Sequence, residues 1–165
     1  MRGKLATSWL PISCLEILTS HISVTLKANV TPFPVPHTYI TLELFNSPGD
    51  HLHPPNVNVG ISEALAIIFD FVQQTGDIPL TDVGVSFFYG GVSIEVHPMQ
   101  FHGRPPLSYA HVVSVVRGIS LVENQLGFAT RYMNIYHLNE GHLGTALIGH
   151  TYEVGGRNAT GVSTS

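Results

Sequence analysis

The sequence has few of the features that usually indicate a function. It contains one cysteine in 165 residues, Cys14, so no disulfide can form within the chain. No apolar run approaches the roughly 20 residues that a membrane-spanning helix needs, which predicts no membrane span. G-x-S-x-G, P-loop and G-x-G-x-x-G motifs do not occur, so neither a hydrolase nucleophile nor a phosphate-binding loop is indicated. We therefore predict no cofactor and favour a protein without catalytic activity.

Basic side chains are scarce. Charged residues make up 11% of the chain, and the formal net charge is −4. If residues 1–28 are removed, four arginines and no lysine stand against ten carboxylates, giving a net charge of −6. Nucleic-acid binding relies on clustered lysine and arginine to neutralise phosphates. The sequence therefore predicts no nucleic-acid partner.

The first 28 residues have the outline of a secretory signal. Arg2 and Lys4 form a basic start, residues 5–18 are mainly apolar, and Ala28 offers a small residue for cleavage. Glu16 interrupts the apolar part, which is a departure from the pattern. We expect an extracellular protein, with a disordered N-terminus on a cytoplasmic protein as the alternative.

Two sequons support the expectation of export. They predict N-glycosylation at Asn29 and Asn158, one directly after the leader and one in the C-terminal tail. We divide the chain into a leader at 1–28, a proline-rich linker at 29–38, a single domain at 39–151 and a flexible tail at 152–165.

A β-hairpin is the best-defined element of the sequence. Gly90-Gly91 lies between two alternating apolar segments, and two glycines supply the positive φ angles that a tight hairpin turn needs. Closing the turn there pairs Tyr89 with Val92 and places the apolar residues of both strands on one face. A one-residue slip would exchange that face for a polar one, which fixes the register.

Apolar spacing predicts the remaining elements. Residues 60–76 and 108–126 have the three- and four-residue spacing of helices, and residues 39–45, 131–137 and 143–148 alternate as strands. The predicted order is β-α-β-β-α-β with an added C-terminal strand. This is an α+β, ferredoxin-like sandwich, with two helices on one face of an antiparallel sheet and with the first and third strands as central neighbours.

Four segments carry a resemblance to a known group of proteins: VPHTYITLEL, DIPLTDVGVSFFYGGVSIEVHP, PPLSYAHVVSVVRGI and GHLGTALIG. Over residues 35–150 the chain resembles small, uncharacterised proteins of filamentous fungi that are predicted to be secreted. The resemblance implies an extracellular fungal protein that acts at a host or environmental surface. It implies no enzymatic activity.

One face of the predicted sheet is not covered by the two helices. Aromatic side chains are predicted on it among polar ones, at Phe45, Phe88, Tyr132 and Tyr136. Such a surface is typical of contact with a protein partner, a small ligand or a second copy of the chain. The alternative is that the N-terminal segment or the C-terminal strand covers it.

Candidate chemical groups are few. Glu43 and Glu95 are expected on adjacent strands with His97 nearby, a combination that suits acid–base catalysis if the groups converge. His51 and His53 are the candidate metal ligands, although their spacing matches no zinc motif, so no metal site is predicted. The alternative for all five is an ordinary solvated surface.

The sequence thus favours a secreted, non-enzymatic protein that acts by surface contact. Two alternatives stay open. One is a small enzyme of the dimeric α+β barrel type, with a pocket between helices and sheet lined by His97, His102 or His137. The other is a structural module that forms homo-oligomers through the uncovered sheet face.

Overall fold

The computed structural model of the chain describes residues 30–45, 48–99 and 106–151. The predicted leader, Cys14, the sequon asparagines Asn29 and Asn158, His102 and the tail lie outside these residues. The elements in chain order are β1 (Val30–Pro34), β2 (Ile40–Phe45), α1 (Pro54–Thr75), β3 (Val85–Tyr89), β4 (Val92–Pro98), α2 (Tyr109–Leu126), β5 (Arg131–His137) and β6 (Gly141–His150).

The β3–β4 hairpin has the predicted register. Tyr89 pairs with Val92, Phe87 with Ile94 and Val85 with Val96. The turn residues have positive φ angles, 54° at Gly90 and 83° at Gly91. The two glycines thus determine both the turn and the face on which the apolar side chains lie.

Gly91 offers a direct test of this turn, because a Cβ atom there would meet no heavy atom within 4 Å. Gly91→Ala therefore introduces strain without a clash, and we expect it to lower the free energy of unfolding by about 1–2 kcal/mol. Gly91→Asn should cost less, since asparagine tolerates the left-handed conformation. Urea unfolding of the three proteins measures this, and equal stability of the alanine and asparagine variants would contradict the explanation.

The strand order differs from the ferredoxin-like prediction. The sheet has six antiparallel strands in the order β1-β2-β5-β6-β4-β3, so the first and third predicted strands, β2 and β4, are not neighbours. The strand expected as an addition, β6, lies in the middle and pairs with β5 and β4. Gly144 permits this position, because a Cβ atom there would lie 2.2 Å from the carbonyl oxygen of His97 on β4.

The predicted starts of the domain and of the first helix also need correction. The predicted linker contains β1, whose residues pair with β2 at the sheet edge, so the domain includes Val30–Pro34 and does not start at residue 39. Helix α1 begins at Pro54, six residues before the predicted start at residue 60, with His53 as its N-cap. Proline suits the first helical position, because its missing N–H group would have no partner there.

Helix α2 matches the prediction, with Ser108 as its N-cap and a last residue at Leu126. It packs beside α1, and the sheet side chains buried with the two helices alternate along the strands, as do Leu42 and Leu44 on β2. Both helices therefore cover one face of the sheet. The α+β class, with two helices on one face of an antiparallel sheet, is confirmed.

Helix α1 is only partly buried. Phe69 is 44% exposed and Ile67 is 40% exposed, while Val57, Ile61 and Ile68 face the core. By length and composition alone, α1 is apolar enough to cross a membrane. A helix packed on a sheet passes the same test, and the buried stripe of α1 packs against α2 and β3, so this observation is weak evidence for a span.

An ion pair between Glu123 on α2 and Arg131 on β5 lies in the core. The Glu123 side chain is fully buried; its Oε1 accepts from Nε of Arg131 at 3.0 Å and its Oε2 from the backbone N–H of Ala129 at 2.9 Å. The guanidinium also donates to the carbonyl oxygens of Leu126 and Gly127. Arg131 thereby satisfies carbonyl groups at the C-terminal end of α2, which carry partial negative charge.

Candidate functional site

One face of the sheet lies opposite the two helices, and we call it the open face. No described helix covers it. Cross-strand pairing places on it Thr41, Glu43, Phe45, Ser86, Phe88, Ser93, Glu95, His97, Tyr132, Asn134, Tyr136, Thr145 and Leu147. The four aromatic residues predicted for a binding surface, Phe45, Phe88, Tyr132 and Tyr136, are all in this set.

The aromatic side chains of the open face are only partly accessible, because they lie against one another. Phe45 and Tyr132 have ring centroids 5.5 Å apart, and Tyr136 stacks on His142 at 4.7 Å with an interplanar angle of 20°. Tyr132 is nevertheless 48% exposed. The face therefore presents ordered apolar rings to solvent, a composition common at the centre of protein interfaces.

Glu43 is held in place by Tyr136. Burial raises the pKa of Tyr136, and the negative charge of Glu43 together with its hydrogen bond to the tyrosine hydroxyl raises this pKa further. The protonated hydroxyl donates to the carboxylate, so Tyr136 holds Glu43 in a defined position on the open face.

The three catalytic candidates do not converge. Glu43 on β2 and Glu95 on β4 are separated by β5 and β6, a distance of about 14 Å at 4.8 Å per strand, which corrects the expected adjacency. His97 does contact Glu95, with Nε2 at 3.3 Å from Oε2. Its Nδ1 donates to the carbonyl oxygen of Val83 at 3.0 Å. A single carboxylate beside an exposed imidazole is also a common surface arrangement.

The candidate metal ligands His51 and His53 do not meet a third ligand. The His51 ring is hydrogen-bonded to the carbonyl oxygen of Phe128. His53 is the N-cap of α1, and Leu52, between the two histidines, is buried. Within the described residues, the three side chains that come within ligand distance of one another are His111, His137 and Glu140.

This second group lies on the helix side of the sheet. His111 is in the first turn of α2, His137 ends β5, and Glu140 is in the turn between β5 and β6. Their nearest ligand atoms all lie within 4.8 Å of one another. Of the histidines considered for an enzyme pocket, His137 is therefore between helix and sheet, while His97 is on the open face.

Burial lowers the pKa of His111, and the neighbouring His137 lowers it further, while Glu140 and Asp77 act in the opposite direction. Its Nδ1 accepts from the backbone N–H of Ser108 at 3.2 Å and lies 3.1 Å from the Ser108 hydroxyl. The Ser108 hydroxyl donates in turn to Asp77 at 3.0 Å. A chain of hydrogen bonds thus fixes the orientation of the ring.

Comparison with known proteins gave no match. No family model fits the chain, and no curated protein and no solved structure is similar to it.

Sequence reasoning placed the open face correctly but missed the group around His111. Alternation along the strands was sufficient for the face, because parity assigns every strand residue to one side. The spacing of His137 and Glu140, three residues apart in a turn, was a visible signal. Nothing in the sequence showed that the N-terminus of α2 lies over that turn.

Proposed function

We propose that this protein acts by contact and not by catalysis, that the open face is its contact surface, and that the occupant is a second copy of the chain. The observation that carries the proposal is the open face itself, a central sheet surface with ordered aromatic rings and no described helix over it. Glu43 lies about 14 Å from the pair formed by Glu95 and His97, so the three catalytic candidates do not converge, which favours contact.

The cross-strand register makes the open face complementary to itself. Glu43, Asn134, Thr145 and His97 form one row across β2, β5, β6 and β4. A two-fold axis parallel to the strands, between β5 and β6, places Glu43 of one copy opposite His97 of the other. The same axis places Asn134 opposite Thr145, so the row pairs a carboxylate with an imidazole and an amide with a hydroxyl.

A neighbouring row has apolar groups at its centre. Tyr132 on β5 and Leu147 on β6 are direct partners, and the same two-fold axis places each over the other in the facing copy. Stacked sheets lie about 10 Å apart, close enough for these side chains to interdigitate. A C2 dimer needs this kind of self-complementary patch.

The area is sufficient for association. Six strands about 4.8 Å apart and about seven residues long give a face of about 24 by 23 Å. Two such faces bury at least about 1,100 Å² in total, which is at the lower end of specific interfaces. We therefore expect a dimer that forms and dissociates with concentration.

The test is a charge swap across the interface. His97→Glu places a carboxylate opposite Glu43 twice in the symmetric dimer, and we expect at least about a 100-fold increase in the dimer dissociation constant. Glu43→Lys combined with His97→Glu should restore association. Gln73→Glu adds the same charge on the exposed surface of α1 and is the matched control. Light scattering over a concentration series measures the mass relative to the 17.9 kDa chain.

Three results bear on this proposal in different ways. Restoration by the double variant supports it, because only a contact between the two positions predicts it. A mass of 17.9 kDa at every concentration contradicts a second copy as occupant. A dimer unaffected by His97→Glu contradicts the open face as the interface.

We also propose that the protein is exported, as the N-terminal pattern and the two sequons suggest, and that it belongs with the secreted fungal proteins that it resembles. Intact mass of the chain recovered outside its native cells tests this. Loss of about the first 28 residues and added glycan mass at Asn29 or Asn158 are the expected results. A full-length, unmodified mass contradicts them.

A further inference from the structure

The second group of side chains, separate from the open face, is arranged as a metal site. We propose that His111, His137 and Glu140 bind one divalent transition-metal ion of the zinc class. Two imidazoles and one carboxylate are a known ligand set for zinc, and they leave the fourth tetrahedral position to water.

The distances favour a shared ion over a direct contact. Nδ1 of His137 and Oε2 of Glu140 are 3.8 Å apart, which is too long for a hydrogen bond. Ligand atoms about 2.05 Å from a tetrahedral zinc ion lie about 3.3 Å from each other. Shortening the distance between Nδ1 of His137 and Oε2 of Glu140 by a few tenths of an ångström therefore brings both atoms to coordination distance.

A second observation points to a ligand at the same place. Nδ1 of His137 and Oε2 of Glu140 are both buried and have no hydrogen-bond partner. Buried polar atoms in folded proteins nearly always have a partner. A cation between the three side chains gives both atoms one, and the His137 side chain, 11% exposed, is already held in place to bind it.

His111 has the outer support that metal-binding histidines need. Because Ser108 engages Nδ1, Nε2 is the ring nitrogen left to ligate. In the structure Nδ1 accepts from the backbone N–H of Ser108 at 3.2 Å, as part of the capping box of α2. Ligation through Nε2 requires the other tautomer, in which Nδ1 carries the proton and donates to the Ser108 hydroxyl, 3.1 Å away, which donates to Asp77. Histidines that bind metals usually donate their other ring N–H group to a carboxylate, a backbone carbonyl or water, and here the Ser108 hydroxyl takes that place.

The three ligands come from different parts of the fold. A bound ion therefore ties the N-terminus of α2 to the turn between β5 and β6. Ions that bind only the folded state raise its thermal stability. At a free zinc concentration about 100 times the dissociation constant, we expect a rise in Tm of about 5–10 °C.

The experiment is calorimetric titration of the full chain with zinc chloride, followed by thermal unfolding with and without zinc. We expect one ion per chain and no response to magnesium chloride, because Mg²⁺ prefers oxygen ligands. His111→Gln and Glu140→Gln should each weaken zinc binding by at least about 100-fold. His53→Gln removes an exposed histidine outside the group and is the matched control.

Glu140→Gln keeps the test informative if His111→Gln fails to fold, because position 140 is in a turn and the exchange keeps the size of the side chain. Asp77→Asn alters only the outer support, and we expect a 10- to 100-fold loss of affinity. No zinc-dependent heat, zinc binding unchanged in Glu140→Gln, or binding lost equally in His53→Gln would each overturn the proposal. None of these measurements depends on dimer formation through the open face.

Discussion

Replacing Arg131 by methionine is expected to lower the free energy of unfolding by about 3–5 kcal/mol. The substitution leaves the fully buried carboxylate of Glu123 without its charge partner, and it leaves the carbonyl oxygens of Leu126 and Gly127 without the guanidinium that they contact. Removing one member of a buried pair is costly because the other charge stays out of water.

The matched control is Arg117→Met on the same helix as Glu123. Arg117 is exposed, so the exchange should change stability by no more than about 0.5 kcal/mol. Combining Glu123→Gln with Arg131→Met should be less damaging than Arg131→Met alone, because the unpaired charge is gone. Urea unfolding measures all four proteins, and equal losses for Arg131→Met and Arg117→Met would contradict the role of the pair.

The pH dependence of the free energy of unfolding gives an independent check on the role of the Glu123–Arg131 pair. Burial raises the pKa of Glu123 above its ordinary value of 4.5, while the Ala129 N–H group and Arg131 oppose the shift. The folded chain therefore holds this proton more tightly than the unfolded chain, and the contribution of Glu123 to stability falls as pH rises from 4.5 through the raised pKa.

The charge of Arg131 and its hydrogen bond lower the pKa of Glu123. Because Arg131→Met removes both, the pKa of Glu123 rises further in this variant. The stability deficit of Arg131→Met should therefore be largest near pH 7 and should shrink as the pH is lowered towards 4.5. Unfolding curves at several pH values test this. A deficit that is independent of pH would show that the lost packing of the side chain, and not the charge, is responsible.

Gly144→Ala is expected to destabilise the protein by about 3 kcal/mol. Its Cβ atom would lie 2.2 Å from the carbonyl oxygen of His97, a backbone atom that no side-chain rotation can move. The strands β4 and β6 must separate locally, and this occurs beside the register shift between Ile135 and Tyr136. The expected loss includes broken ladder hydrogen bonds as well as overpacking.

Gly149 on the same strand provides the control. A Cβ atom there would lie 3.4 Å from Cγ2 of Thr130, which is close to ordinary contact, so Gly149→Ala should change stability by less than about 1 kcal/mol. The two variants remove the same backbone freedom from the unfolded chain. Similar midpoints in urea for both would show that β6 is not constrained by β4 at Gly144.

The proposed sites differ in how far the sequence could predict them. For the open face, alternation was enough, since Phe45, Phe88, Tyr132 and Tyr136 lie where their parity places them. For Glu43 and Glu95, parity was correct and the separation was wrong, because alternation says nothing about which strands are neighbours. The group of His111, His137 and Glu140 joins positions up to 29 residues apart and depends on how a helix end sits over a turn.

Local signals in the sequence determined the elements of this protein. Gly90-Gly91 set the hairpin register, Ser108 set the start of α2, and alternation assigned each strand residue to a face, because these effects act over a few neighbouring residues. Tertiary structure alone decided the strand order. Alternation along β6 buries the same side chains whether the strand lies at an edge or in the middle of the sheet, and only the close approach of β4 at Gly144 favours the middle. It likewise decided the buried partner of Arg131 and the meeting of His111 with His137, because those contacts depend on packing between distant segments.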